Sequence, residues 1–129
     1  MKRFSSLIVA MLALMLLVAG CSRADAPAAG KVYSGELTVE MKNLKFVPNT
    51  FTVKKGTKVT FVNKDALLHD VLQIEVKQLG KEKPSFDSGA IAAGSTWSVT
   101  FDQPGTYPIL CTQSSHWAAG MTGTVTVVE

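Results

Sequence analysis

Two histidines, one cysteine and one methionine are the residues whose types and spacing suit metal chemistry. His69 and His116 are the only histidines, and the segment Cys111-Thr-Gln-Ser-Ser-His116-Trp-Ala-Ala-Gly-Met121 holds three of the four residues. Two imidazoles and one thiolate, with a weak axial thioether, are the ligand set of a copper site that carries electrons. His69, Cys111, His116 and Met121 are therefore candidate ligands of one copper ion.

Each of these residues also has a simpler interpretation. A single histidine is commonly a surface or core residue, and a buried cysteine or methionine commonly acts as a small or adaptable hydrophobe. Catalysis by Cys111 with His116 is conceivable, but the sequence offers no evident acidic partner to orient the imidazole. A copper carrier or buffer outside the cytoplasm is the open alternative, and an immunoglobulin-like interaction domain would leave the cysteine and histidines without a role.

The N-terminus predicts export and attachment to a membrane. Met1-Lys2-Arg3 precedes an uncharged apolar run over 7–19, which is shorter than the roughly 20 residues that span a bilayer. We expect residues 1–20 to be a removed lipoprotein signal peptide. Leu17-Val18-Ala19-Gly20-Cys21 resembles a bacterial lipobox, in which Cys21 receives a diacylglycerol; an ordinary signal cut or a retained anchor are the alternatives. Lipidation would leave Cys111 as the single free thiol.

Charge and length exclude several classes of protein. The chain of 129 residues has 13 basic and 10 acidic residues, and two of the basic ones, Lys2 and Arg3, leave with the signal. The remaining lysines are scattered, whereas a nucleic-acid binder has a basic stripe or a strong positive excess. One small domain remains, which excludes a multidomain enzyme. We expect no enzymatic activity, because two histidines are too few for the several metal centres of a copper oxidase.

The rest of the chain is organised as a linker and a β domain. Residues 21–34 are small and polar, interrupted by Pro27 and Gly30, and predict a flexible linker. From residue 35 to 129, apolar and polar residues alternate in short runs separated by turn residues, which predicts an antiparallel sandwich or barrel. The predicted strands are 37–42, 51–53, 59–63, 69–76, 95–101, 107–111 and 122–128, with a loop or short helical turn over 78–86.

Residues 35–129 resemble the cupredoxins, the type 1 blue copper proteins. The resemblance rests on Val59-Thr-Phe-Val-Asn63 before the first histidine and on Asp102-Gln-Pro-Gly-Thr-Tyr107 before Cys111. Four residues between Cys111 and His116 are similar to azurin, and four between His116 and Met121 are similar to plastocyanin; the auracyanins combine both. The resemblance implies an all-β Greek-key sandwich of about eight strands. It also implies His69, Cys111 and His116 as strong copper ligands and Met121 as the weak axial ligand.

The resemblance further implies roles around the metal. Asp70 stands where asparagine is usual, and we expect it to accept a hydrogen bond from the Thr112 hydroxyl or from a ligand-loop amide. Its charge would favour Cu(II). The edge of His116 would be the electron port, and Trp117 would belong to the docking patch around it or else pack in the core.

At the level of the whole protein, the resemblance implies a monomer that carries one electron between a redox donor and an acceptor by transient docking. Together with the signal and the lipobox, it predicts an extracytoplasmic protein. Its lipid anchor at Cys21 would hold it to a bacterial membrane, on the periplasmic or cell-surface face.

Overall fold

The chain forms nine β-strands in the computed structural model, which describes residues 30–129. The predicted signal peptide and Cys21, the predicted lipidation site, lie outside this range. In chain order the strands are β1 (Val32–Tyr33), β2 (Glu36–Met41), β3 (Phe46–Val47), β4 (Thr50–Lys54), β5 (Thr57–Asn63), β6 (Leu72–Gln73), β7 (Thr96–Phe101), β8 (Gly105–Leu110) and β9 (Thr122–Val128).

The nine strands form two sheets. One has the order β1-β4-β9-β8-β6 and the other the order β3-β2-β5-β7. The predicted all-β sandwich is confirmed. The predicted antiparallel pairing holds for only part of it, because β2 pairs with β5, and β4 with both β1 and β9, in parallel. The parallel pair β2–β5 arises because β4, which lies between them in sequence, belongs to the opposite sheet.

The first strand lies in the segment predicted as linker. Val32 and Tyr33 pair with Thr52 and Val53 of β4, and the Tyr33 ring packs against the core. The ordered domain therefore includes residues before 35. Two neighbouring residues are too few to show a period-two pattern, which is why β1 and the equally short β3 were not predicted.

The inward side chains of both sheets form one hydrophobic core. Its members include Val39 and Phe61 from one sheet and Val125 from the other, all fully buried. Cys111 and Met121 belong to the same buried cluster. Two of the candidate ligands are thus part of the packed interior, which restricts their motion.

The segment predicted as a strand over 69–76 is mostly irregular. Only Leu72–Gln73 is a strand, and His69 makes an isolated bridge to Ile91. Burial explains the difference, since His69, Asp70, Val71 and Leu72 are buried in succession instead of alternating.

Short 3₁₀ helical segments occur in residues 30–129 at Val76–Gln78 and at Gln113–Ala119, the second interrupted by Ser114 and Ser115, whose φ angles are 46° and 58°. The first begins just before the segment for which a loop or helical turn was predicted. Within that described range, no helix has the length and apolar character needed to cross a bilayer.

Candidate metal centre

Three ligand atoms converge at one end of the sandwich. The His69 Nδ1 atom lies 3.1 Å from the His116 Nδ1 atom, and the Cys111 Sγ atom lies 3.7 Å from the first and 3.5 Å from the second. Metal bonds of about 2.0 Å to imidazole and about 2.3 Å to thiolate put ligand atoms roughly 3–4 Å apart around one ion. The three predicted strong ligands therefore have the spacing that a single metal ion requires.

Different elements deliver these three residues. Cys111 directly follows β8, and His116 lies in the 3₁₀ helix that leads from β8 to β9. His69 comes from a distant segment that is held by two backbone hydrogen bonds to Ile91, of 3.1 and 2.7 Å. Cys111 and His69 are fully buried, whereas His116 retains 9% of its surface exposed. The site is therefore shielded from solvent on the side of the first histidine.

Backbone hydrogen bonds join the two ends of the segment from Cys111 to Met121. The Trp117 amide donates to the Cys111 carbonyl at 2.9 Å, and the Cys111 amide donates to the Met121 carbonyl at 3.1 Å. The Met121 amide donates to the His116 carbonyl at 3.1 Å. Gly120 ends the helix with a φ of 95°, a left-handed conformation that glycine adopts without steric cost.

These bonds connect Met121 to two other candidate ligands, Cys111 and His116. The Met121 side chain is fully buried and belongs to the core cluster that contains Cys111. The structure therefore brings the fourth predicted ligand to the same end of the sandwich as the other three.

Asp70 connects the segment of the first histidine to the ligand loop. Its carboxylate accepts hydrogen bonds from the Thr112 amide at 2.6 Å, the Thr112 hydroxyl at 2.5 Å and the Gln113 side-chain amide at 2.9 Å. The structure thus contains both bonds considered from the sequence, and Gln113 adds a third. The Asp70 amide also donates to the Cys111 sulfur at 3.4 Å. A buried carboxylate and an N–H bond to sulfur both act on the electronics of the thiolate.

The comparisons with known proteins agree with this geometry. Residues 33–128 match the family model described as copper binding proteins of the plastocyanin/azurin family. The chain belongs to this family. Its metal is therefore copper, which suits a donor set of two imidazoles and soft sulfur.

Individual relatives cover the chain to different extents. Plastocyanin from Prochlorothrix hollandica is 35% identical over 133 aligned positions, which cover 98% of this chain and 99% of the relative. The minor chloroplastic plastocyanin of Arabidopsis thaliana is 39% identical over 66% of this chain, but the match spans only about half, 52%, of that relative's length. Auracyanin from Roseiflexus castenholzii has the same fold, with a TM-score of 0.62, 24% identity and coverage of 75% of this chain and 99% of auracyanin.

Burial controls the protonation of the Cys111 thiol. Removal from water raises the pKa of Cys111 to about 11, although hydrogen bonds from the Asp70 and Gln113 amides act in the opposite direction. The thiol therefore keeps its proton at neutral pH until a metal displaces it. Binding of copper by this thiol would therefore release a proton.

Asp65 is part of the site but was missed from the sequence. Its Oδ2 atom lies 2.9 Å from the His69 Nε2 atom, and its carboxylate accepts the amides of Asn43 at 2.8 Å and Leu44 at 3.1 Å. Burial acts to raise the pKa of Asp65, but the bonds from Leu44, Asn43 and His69 together hold that pKa below its usual value. An aspartate four residues before a candidate ligand was the available signal.

Trp117 is half-buried beside the exposed edge of the site. It packs against the small cluster of Leu72, Ile74 and Leu110. Ala118 and Ala119, which follow it, are exposed. Trp117 therefore packs against one hydrophobic cluster and is still partly accessible to solvent.

Proposed function

We propose that this protein is a mononuclear type 1 copper electron carrier that shuttles one electron between a donor and an acceptor protein. The observation that carries the proposal is the convergence of His69 Nδ1, Cys111 Sγ and His116 Nδ1 within 3.7 Å of one another. Copper bound there would alternate between Cu(II) and Cu(I), since thiolate favours the reduced ion and imidazole suits both.

Rigidity of the ligands supports electron transfer over copper carriage. An electron moves with little rearrangement when the ligand positions suit both oxidation states. Cys111 and His69 are fully buried, and backbone hydrogen bonds from Asp70 and Trp117 hold the cysteine at its sulfur and its carbonyl. A carrier that hands over its metal needs ligands that a recipient can reach.

Met121 is the proposed weak axial ligand. Its complete burial and its backbone bonds to Cys111 and His116 support this role. A thioether is also the axial donor that accompanies two histidines and one cysteine in blue-copper centres.

His116 is the proposed electron port, with Trp117 in the docking patch around it. The residual exposure of His116 and the exposed Ala118 and Ala119 support this assignment. Docking through a small, weakly charged patch suits brief encounters between redox partners and a protein that is itself monomeric.

A lipid anchor at Cys21 is the proposed link to a bacterial membrane. The lipobox-like segment before Cys21 supports it, and the residues before β1 would form the tether on the extracytoplasmic side. Fractionation of expressing cells tests the anchor, since the Cys21→Ala variant should leave the membrane fraction while Cys111→Ala should remain in it. Equal membrane retention of Cys21→Ala would contradict the proposal.

Voltammetry combined with a chelator separates the electron carrier from the copper carrier. The copper-loaded protein should give a reversible one-electron wave and keep its copper through repeated reduction in the presence of a Cu(I) chelator. Loss of copper to the chelator on the first reduction would favour transport or buffering of the metal. Absence of any reversible wave from copper-loaded protein would contradict electron transfer.

A further inference from the structure

The two histidines of the copper centre have unequal surroundings. The outer nitrogen of His69, Nε2, is hydrogen-bonded to the Asp65 carboxylate inside the protein, where the His69 side chain is fully buried and that of Asp65 is 16% exposed. Among residues 30–129, no side chain or carbonyl bonds the corresponding Nε2 atom of His116, which lies at the partly exposed edge. A carboxylate therefore fixes the outer nitrogen of the His69 ring, whereas the outer nitrogen of His116 has no such partner among the described residues.

Asp65 is itself fixed from two sides. Its carboxylate receives the amides of Asn43 and Leu44, two consecutive residues with φ of 55° and 57° at the tip of the β2–β3 hairpin. Its own amide donates to the Asn63 side chain at 3.0 Å. The Asn63 side chain, fully buried, also donates to the Ile91 carbonyl at 2.9 Å, and Ile91 is the residue that pairs with the backbone of His69.

These contacts determine which ring nitrogen of His69 carries hydrogen. An ionised carboxylate has only acceptor atoms, so the 2.9 Å contact requires Nε2–H on the imidazole. In the neutral ring the lone pair is then on Nδ1, the atom that faces Cys111 and His116. A carboxylate behind a ligating imidazole also raises the basicity of the ligand.

We propose that Asp65 is a positioning residue of the copper centre: it holds His69 as the Nε2–H tautomer with Nδ1 directed at the metal, and its charge lowers the reduction potential. The expected effect on the reduction potential rests on the proposed function, whereas the expected tautomer of His69 does not. The tautomer is a property of the protein's own residues and is tested without copper.

The first test is nitrogen NMR of the metal-free wild-type protein. His69 should give the Nε2–H tautomer with a slowly exchanging ring proton. A predominant Nδ1–H tautomer would overturn the proposal, whatever the redox behaviour of the protein.

The second test uses two substitutions of Asp65 and one matched control. Asp65→Asn keeps an acceptor for His69 and removes the charge, whereas Asp65→Ala removes both. Asp87→Asn is the control, because Asp87 also accepts a loop amide, that of Gly89 at 2.8 Å, and its side chain is exposed. All three copper-loaded variants are compared with wild type by voltammetry and by copper loss to a chelator.

We expect Asp65→Asn to favour Cu(I) over Cu(II) by about tenfold more than the control does, which is an upward shift of about 59 mV for one electron. Asp65→Ala should give mixed His69 tautomers and at least a tenfold faster loss of copper. If both variants match Asp87→Asn in potential and retain the Nε2–H tautomer while their folding stability falls, Asp65 only braces the hairpin and the proposal is wrong. If wild type itself lacks a reversible wave, the electron-transfer function fails while the tautomer result still stands.

Discussion

The buried carboxylate of Asp70 places a negative charge against the ligand loop. It is 3% exposed and accepts three hydrogen bonds from Thr112 and Gln113. A nearby negative charge stabilises the more positive oxidised ion, so Asp70→Asn should raise the reduction potential, on the order of 60 mV for a tenfold change in relative affinity. Voltammetry of the copper-loaded variant measures the shift.

The control for that substitution is Asp102→Asn, which removes the same charge elsewhere. Asp102 follows Phe101, which pairs with the first residue of β5, whereas the copper centre lies near the last residue of that strand. This variant should leave the potential close to that of wild type. Equal potentials for wild type and Asp70→Asn would contradict the charge argument.

The Cys111 thiol makes the metal-free domain sensitive to alkaline pH. Its folded-state pKa of about 11 lies above the value of an unfolded thiol, about 8.5, so the unfolded chain loses this proton first. The contribution of the buried thiol to stability is fully present below the unfolded-state pKa and is lost as the pH rises through the folded-state pKa. We expect the free energy of unfolding of metal-free protein to fall from about pH 8.5 toward pH 11.

Cys111→Ala provides the comparison for this prediction. All other titratable groups are common to both proteins, so the difference between the two urea-denaturation series isolates the thiol. The difference should shrink as the pH rises. Parallel curves for wild type and Cys111→Ala would show that the thiol titrates alike in both states.

At the scale of elements, the start of β9 packs closely against the segment before β4. A Cβ atom on Gly123 would lie 2.4 Å from the Asn49 carbonyl oxygen and 3.2 Å from the Ile109 side chain. The Asn49 oxygen is backbone and also accepts the Thr124 amide at 2.7 Å. Gly123→Ala should therefore destabilise the domain by about 3 kcal/mol, the upper part of the range for overpacking, measured by urea denaturation.

The Gly56→Ala variant distinguishes the stability cost of this steric contact from the cost of backbone strain. Gly56 has a φ of 84°, and a Cβ there would meet nothing within 4 Å, so only the left-handed conformation is penalised. The expected cost is about 1–2 kcal/mol. A Gly123→Ala variant no less stable than Gly56→Ala would show that the Asn49 segment moves aside easily.

The long strands and the cluster of candidate ligands were predictable because both leave local signals. Period-two alternation marks β2, β5, β7 and β9. The same signal fails between His69 and Leu72, where consecutive residues are buried on both sides. Parallel pairing was also missed, because the alternation in one strand carries no information about the direction of its neighbour.

The part of the site that sequence did not predict depends on contacts between distant segments. Asp65 bonds to amides that are 21 and 22 residues earlier in the chain, at a hairpin tip of left-handed residues. Asn43 and Leu44 carry no signal for such a carboxylate. By contrast, the predicted contact of Asp70 with Thr112 spans 42 residues but follows from the family resemblance.

For the molecule as a whole, the proposed docking patch around His116 includes Trp117, which is partly exposed. If its exposed part belongs to the docking patch, Trp117→Ala should slow electron self-exchange between two copies by about tenfold, the effect of losing about 1.4 kcal/mol. Line broadening in NMR spectra of mixed oxidised and reduced protein measures this rate.

The visible spectrum and the potential of Trp117→Ala serve as controls and should change little. Trp117 also contacts Leu72, Ile74 and Leu110, so loss of the spectrum would assign the indole to support of the ligand loop. An unchanged self-exchange rate with an intact spectrum would remove Trp117 from the docking patch.

Titration of the purified protein with Cu(II) tests the central claim most directly, because among the proposed ligands only the thiolate gives copper an intense visible colour through charge transfer. One equivalent should turn the wild-type protein deep blue or green, with absorbance saturating at one copper per chain, and Cys111→Ser should stay pale. A wild-type sample that takes up one equivalent of copper and remains pale would contradict a copper centre built on Cys111, His69 and His116.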